Sequence, residues 1–151
     1  EPTGVVAVFA PQKSSLLGLV TQIASIIAGG NTCVVLAAEQ LALCAVTFAE
    51  VLATSDVPGG VVNILTGNQT ELLTQFAAHK DVNAILYCGE ASDMITKIQD
   101  LAIENLKRVV VREDGDYFDD KFESPYLIYD FQETKTTWHP IEVIAGAGAG
   151  Y

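Results

Sequence analysis

Short apolar runs rich in β-branched residues alternate with longer segments of helical periodicity over most of the chain. Continuous runs of this length are typical of strands that are buried on both faces, as in a parallel sheet. Parallel strands joined by helical segments imply right-handed βαβ crossovers. The pattern therefore predicts an α/β fold, a Rossmann-like doubly wound parallel sheet with helices on both faces. The predicted strands cover residues 5–9, 32–36, 61–65, 84–87 and 108–111.

The segments between these runs have apolar residues at helical intervals, which predicts that one face of each helix packs on the sheet. The third helix begins with a capping-box arrangement, because Asn68 precedes Glu71 by three residues. The fourth helix is expected after Ser92. The predicted sheet-facing residues of the first two helices are Leu16, Leu17, Val20, Ile23, Ala24 and Ile27, and then Leu41, Ala42, Ala45, Val46, Ala49 and Leu52.

Composition limits the possible partners and location. The 151 residues carry a net charge of -11, which opposes binding to nucleic acid because phosphate contacts depend on lysine and arginine. The apolar runs fall short of the roughly 18 residues that cross a bilayer, so no membrane association is expected. A secretory signal pattern is absent, which favours a cytoplasmic location. Cys33, Cys44 and Cys88 lack zinc-ligand spacing, so we predict buried thiols and no metal.

Several glycine-containing motifs follow one another at a characteristic spacing. They read GVVAVFAP at 4–11, AGGNTCVV at 28–35, AEQ at 38–40, PGGVVNILTG at 58–67 and HKDVNAI at 79–85. With this ordered set, residues 4–115 resemble the cofactor-binding domain of the aldehyde dehydrogenase superfamily. The resemblance implies a Rossmann-like domain that holds NAD and that is normally followed by a catalytic domain.

The positions that carry catalysis in the resembled family are altered here. Arg112 replaces the general-base glutamate, and its guanidinium stays protonated and accepts no proton. The neighbouring Glu113 would point to the opposite face of an extended segment. The oxyanion-hole asparagine aligns nearest to Lys13, and no cysteine after Cys88 corresponds to the nucleophile that follows the family's cofactor domain. The sequence therefore predicts that the chain has no catalytic residues.

The cofactor-contacting positions of the family are partly retained. Glu39, Gly67 and Gly89 match the family pattern and are the candidate NAD-binding residues. Leu36 replaces the lysine of the ribose contact, and Glu90 puts a carboxylate where a helix N-terminus would otherwise attract phosphate. We therefore expect no cofactor, with NAD as the alternative if the three retained residues suffice.

The remainder of the chain divides into three predicted segments. Residues 116–125 form an acidic connection that we expect to be a solvated linker. Residues 126–139 alternate apolar and polar side chains as in a half-buried strand, and their aromatic-Glu-x-Lys-Thr motif is similar to the subunit-pairing arm of the family. Residues 140–151 are rich in glycine and alanine, which predicts a flexible tail.

Three functional hypotheses follow. The first is a non-catalytic module with a structural and assembly role, which resembles the degenerate second module of two-module family 16 aldehyde dehydrogenases. Its predicted oligomerisation strand begins at Leu127, ends at Trp138, and would dock on a second copy or on another aldehyde dehydrogenase module. The second is an NAD-binding module that supports aldehyde oxidation by a partner subunit. The third, a piece of an ordinary enzyme, is opposed by Arg112 and Lys13.

Overall fold

The computed structural model describes residues 1–139, and the predicted tail at 140–151 lies outside these residues. A five-stranded sheet forms the centre of the fold, with strand order β3-β2-β1-β4-β5 and parallel pairing throughout. The predicted α/β class and the doubly wound, Rossmann-like sheet are confirmed. The strands are β1 Val5–Phe9, β2 Thr32–Leu36, β3 Val62–Leu65, β4 Ala84–Cys88 and β5 Arg108–Arg112.

Helices connect successive strands where the sequence predicts them. At the start of the third helix, the Asn68 side chain accepts a hydrogen bond from the Glu71 backbone N–H at 3.2 Å, as the capping motif predicts. Short turns of 3-10 helix and a one-turn helix follow the larger elements. The helices are α1 Leu17–Ala28, α2 Ala42–Ala53, α3 Gln69–Ala78, α4 Ser92–Ala102 and α5 Tyr126–Tyr129, with 3-10 turns at Ile103–Asn105 and Asp120–Glu123.

Alternate residues of the central strands enter two hydrophobic cores, one on each side of the sheet. In β1, Val6 and Val8 pack with residues of α1 and α2, whereas Ala7 and Phe9 pack with residues of α3 and α4. All four side chains are fully buried. Burial on both sides explains why the strands read as continuous apolar runs in the sequence.

The predicted sheet-facing stripe of α1 is partly wrong. Ile23 is buried as predicted and Ile26 joins it, but Leu16 and Leu17 are exposed. The backbone approaches its neighbours closely at Gly18, where an added Cβ would lie 3.0 Å from a proline ring carbon and 3.1 Å from a tyrosine ring carbon. This close packing sets the rotation of the helix, and the sequence spacing alone did not specify it.

The predicted sheet-facing stripe of α2 is also partly wrong. Within the helix, Ala45 is the one buried residue, and Val46, which was expected to face the sheet, is exposed. Leu43 is 81% exposed. The helix α2 packs near β3, which is the edge strand of the sheet. The strands there offer too few positions to cover all the apolar residues of the helix.

The predicted strand at 126–139 is wrong. Tyr126–Tyr129 form α5, and residues 133–139 have no regular structure. Pro125 stands at the start of α5, where proline suits a helix because its missing N–H and fixed φ cost nothing. The alternating apolar side chains instead reflect one turn of helix followed by a single core residue, Phe131, which is fully buried.

The acidic connection at 116–125 is not a solvated linker. Asp116 and Asp119 are exposed, but Tyr117 and Phe122 are buried and their rings stack with centroids 4.2 Å apart. The acidic side chains therefore flank an aromatic pair that belongs to the packed interior. The domain boundary after Gly115 stays a prediction.

Candidate functional site

The candidate site lies at the carboxyl edge of the sheet, beside the point where the strand order reverses between β1 and β4. Ligands of open α/β sheets bind in the crevice at such a point. Glu39, Gly67 and Gly89 follow β2, β3 and β4, so all three lie at this edge. The structure thus brings the three predicted residues to one edge of the sheet.

Glu39 is bound to the start of α3. Its carboxylate accepts hydrogen bonds from the Gln69 backbone N–H at 2.6 Å and from Asn68 Nδ2 at 3.2 Å. Its own backbone N–H donates to Gln12 Oε1 at 2.9 Å. A carboxylate at this position satisfies a free N–H of the first helical turn and complements the helix dipole. Glu39 is therefore an internal helix cap in this chain.

Gly67 serves the turn between β3 and α3. A Cβ at this position would lie 2.9 Å from Leu72 Cδ1, so a side chain here would displace a residue of α3. The residue after Gly67 is Asn68, and its side chain donates a hydrogen bond to Glu39. The structure therefore brings the two predicted residues Gly67 and Glu39 close together. Close packing accounts for the glycine without a ligand.

Gly89 lies against the hydroxyl end of the Tyr87 side chain. A Cβ on Gly89 would lie 2.8 Å from the Tyr87 hydroxyl oxygen. That hydroxyl contacts Met94 Sδ at 3.6 Å and hydrogen bonds the backbone of Ala91 at the start of α4. Burial raises the pKa of Tyr87, although the Ala91 backbone bond opposes the shift. The helix end that would receive a phosphate is thus faced by a tyrosine, with the exposed Glu90 beside it.

Asp114 organises the loop after β1. Its carboxylate accepts hydrogen bonds from the backbone N–H groups of Gln12 at 2.9 Å and Lys13 at 3.0 Å. The Lys13 ammonium in turn donates to the Asp114 carbonyl oxygen at 3.0 Å. Asp114 is buried. A carboxylate between a strand end and a glycine was the sequence signal for this role.

Arg112 ends β5 and is 9% exposed. Its guanidinium donates to Gln22 Oε1, to the Leu127 carbonyl oxygen at 2.9 Å and to Asp130 Oδ2 at 2.8 Å. It also lies 5.6 Å from the centre of the Phe131 ring. The position that would hold a general base therefore holds a cation engaged on several sides.

Cys88 lies at the end of β4, close to this cation. Burial raises the pKa of its thiol to about 12, while the charge of Arg112 and a hydrogen bond with Tyr117 oppose the shift. Burial likewise raises the pKa of Cys33 to about 12. A thiol that stays protonated is a weak nucleophile. Cys44 is exposed, which corrects the prediction that all three thiols are buried.

The residues at this edge that would contact a dinucleotide are engaged within the chain. Glu39 is engaged by α3, Tyr87 fills the space above Gly89, and Asp114 binds the amides of the β1 loop. Across residues 1–139, no group of three or more His, Cys, Asp or Glu side chains could hold a metal ion. None of the helices in that range is long and apolar enough to span a membrane.

Comparison with known proteins identifies the family. The model of the aldehyde dehydrogenase family matches residues 1–116. A hydroxyisobutyraldehyde dehydrogenase of Mycolicibacterium austroafricanum is 43% identical over 89 residues, covering 59% of this chain and 18% of the relative. The aldehyde dehydrogenase family 2 member C4 of Arabidopsis thaliana is 34% identical over 131 residues, covering 86% of this chain and 25% of the relative. A human cytosolic 10-formyltetrahydrofolate dehydrogenase is 31% identical over 129 residues, covering 85% of this chain and 14% of the relative.

Solved structures agree with this assignment. Aldehyde dehydrogenase C from Pseudomonas syringae, solved with NAD+ and octanal, is similar with a TM-score of 0.70 and 30% identity, over 75% of this chain and 23% of that protein. PnpE from Pseudomonas sp. WBC-3 gives a TM-score of 0.69 at 29% identity, over 74% and 23% of the two chains. The chain thus spans a quarter or less of the length of these relatives. By its family match and its shared fold, the chain belongs to the aldehyde dehydrogenase family.

Proposed function

We propose that this chain is a non-catalytic module of the aldehyde dehydrogenase family with a structural and assembly role. The observation that carries the proposal is the environment of Arg112. A general base must accept a proton from a reacting group, and a buried guanidinium bound to three acceptors cannot do so. No electron pair is available at the position that would start the chemistry.

The neighbouring carboxylate does not supply a substitute base. Glu113 is exposed and forms an ion pair with Lys121, directed away from the buried face that holds Arg112. The buried carboxylate of Asp114 already accepts hydrogen bonds from the backbone N–H groups of Gln12 and Lys13, which hold it in the loop after β1.

The assembly role rests on aromatic side chains exposed along the C-terminal segment. Tyr126 is 76% exposed, Tyr129 is 65% exposed and Trp138 is 93% exposed. Tyrosine and tryptophan are the residues that most often dominate the binding energy of protein interfaces. Three exposed aromatics within one short segment favour a partner that covers them, although the segment is not the strand that the sequence predicts.

The partner we propose is a second copy of this chain or a fuller aldehyde dehydrogenase module. The net charge of -11 opposes close self-association at low ionic strength, so the contact with a second copy should strengthen as salt screens the repulsion.

Sedimentation of substituted chains tests the assembly role. We expect the wild-type chain to form a concentration-dependent dimer and the Tyr126→Ser, Tyr129→Ser, Trp138→Ser triple variant to sediment as a monomer. Leu43→Ser is the matched control, because this residue is similarly exposed but lies on α2. A wild-type chain that stays monomeric at all concentrations and with a purified aldehyde dehydrogenase module would reject the proposal.

The alternative is an NAD-binding module that supports aldehyde oxidation by a partner subunit. One observation favours it: Gln69 Nε2, beside Glu39, is a buried donor without a partner among residues 1–139. Calorimetric titration with NAD+ and NADH separates the two functions. We expect no heat of binding at millimolar nucleotide. Saturable micromolar binding that Glu39→Gln weakens would support the alternative instead.

A further inference from the structure

We infer that residues 117–133 form a strap that Arg112 fastens onto the domain, so that the residue that replaces the base has become a structural anchor. Without the strap, α1 and α2 cover the side of the sheet over β1, β2 and β3. The strap extends this cover toward β4 and β5, and it makes residues 1–133 one folding unit.

Burial supports the strap as an integral layer. Phe131 is fully buried and belongs to the same core as Leu86 of β4 and Leu19 of α1. Tyr117 is buried, and its ring is one of the groups that a Cβ on Gly18 would meet, at 3.1 Å. The helix α5 packs against α1. The strap therefore fills interior volume that solvent would otherwise enter.

Arg112 makes the central polar attachment of the strap. It binds one acceptor on α1, Gln22 Oε1, and two on the strap, the Leu127 carbonyl and the Asp130 carboxylate. Its Nε atom is buried without a hydrogen-bond partner among the described residues. A buried guanidinium is stable only while its acceptors stay in place, so release of the strap would leave it unpaired.

The far end of the strap is attached to β5 and to the N-terminus. Arg108 donates to the Asp130 carbonyl oxygen at 2.8 Å and to the Gln132 carbonyl oxygen at 3.0 Å. Thr3 N–H donates to the Phe131 carbonyl oxygen at 3.1 Å, and Gln132 pairs with Pro2 in an isolated antiparallel bridge. These bonds attach the end of the strap to the N-terminal residues of the chain. The short helix α5 could not hold these two segments together by itself.

Native-state hydrogen exchange on the full chain tests the strap. We expect Arg112→Met to speed exchange of the amides of residues 127–132 by roughly tenfold or more, while the amides of β4 keep their protection. Asp130→Asn, which removes the negative charge that faces Arg112 and leaves the core intact, should speed the same amides to a smaller extent. Lys97→Met is the matched control, since it removes one exposed cation from α4.

Faster exchange confined to the strap in both variants, with the control unchanged, supports the inference. Unchanged exchange of residues 127–132 in Arg112→Met would overturn it, because Arg112 would then not hold the strap. If Arg112→Met fails to fold, the test rests on Asp130→Asn alone. Equal exchange rates of the amides of residues 127–132 in that variant and in the wild type would then overturn the inference. Because Tyr126 and Tyr129 lie in the strap, exchange is compared at one low protein concentration at which all variants sediment as monomers, and the assembly role is judged separately by sedimentation.

Discussion

Arg112 places a positive charge in a buried region, where removing a charge from water raises the free energy of the folded chain. It is paired with Asp130, whose side chain is 40% exposed, and with uncharged acceptors from two other elements. Removing one partner of a buried cation leaves much of its desolvation cost in place while removing the attraction that offset it. The pair therefore matters more for stability than an ion pair on the surface.

At this residue, we predict that Asp130→Asn lowers the free energy of unfolding by about 1–2 kcal/mol. The amide keeps the shape of the side chain but loses the charge that faces the guanidinium. Glu133→Gln is the control, because the Arg108–Glu133 pair is half exposed and should cost no more than about 0.5 kcal/mol. Urea denaturation of the three chains measures the difference, and equal losses would contradict the buried role of Arg112.

The thiols differ in reactivity because their surroundings differ. Cys44 is exposed, whereas Cys33 and Cys88 are buried and hold pKa values of about 12. We predict that one thiol of the native chain reacts quickly with a disulfide reagent at pH 8 and that all three react in urea. Cys44→Ser should remove the fast phase. Rapid reaction of a second thiol in the native state would contradict the burial of Cys33 and Cys88.

The buried thiols also predict weaker stability in alkaline solution. Unfolded thiols titrate near their ordinary value of 9.0, whereas folded Cys88 holds its proton up to about 12. Above pH 9 the unfolded state binds fewer protons, so stability falls, by at most about 1.4 kcal/mol per pH unit for each thiol. We expect urea denaturation of Cys88→Ala to show a shallower decline between pH 9 and 10.5 than the wild type.

At the scale of elements, the strands and helices were predictable because each encodes its own signal. The two-sided burial of β1, with Val6 and Phe9 on opposite faces, produces an uninterrupted apolar run, and Asn68 marks the start of α3. The strap was not predictable in the same way. Phe131, its most buried residue, is fixed by long-range contacts with Arg112 and the Thr3 backbone, and local periodicity does not encode such contacts.

For the candidate site, too, local signals and long-range packing differ in how far they can be predicted from the sequence. Glu39, Gly67 and Gly89 lie at one edge because parallel strands bring their carboxyl ends together there, and their role as NAD-binding residues stays a prediction. Their contacts were not foreseen, since the hydrogen bond from Gln69 to Glu39 and the ring of Tyr87 over Gly89 depend on how loops from different strands meet. Sequence gives the position of such residues, and packing decides whether a ligand or the chain itself occupies the space.

The cap on α3 predicts a stability effect for Glu39. We expect Glu39→Ala to lower the free energy of unfolding by about 1 kcal/mol, since two donors at the start of α3 lose their acceptor. Glu71→Ala, in the first turn of the same helix, is the control for a simple change of charge near the helix dipole. Thermal unfolding measures both variants. A Glu39→Ala chain as stable as the wild type would show that the cap contributes little.

At the scale of the whole molecule, the strap changes what a deletion should do. The sequence pattern predicts that residues 4–115 keep their fold when the C-terminal segment is removed. The structure leads us to expect the opposite for a chain cut after Gly115, because the cut removes Tyr117, Phe122 and Phe131 from the interior. Loss of a buried aromatic side chain costs roughly 3–5 kcal/mol, and native domains are stable by roughly 5–15 kcal/mol in total.

The cut also leaves Arg112 with a single described acceptor, Gln22, in place of three. We therefore predict that the shortened chain lacks a cooperative unfolding transition and the dispersed amide spectrum of a packed core. A chain ending at residue 139 is the matched control and should unfold cooperatively like the full chain. If the chain cut after Gly115 also unfolds cooperatively, then the strap merely rests on a complete domain, and the assembly role of its aromatic side chains can be tested by deletion as well as by substitution.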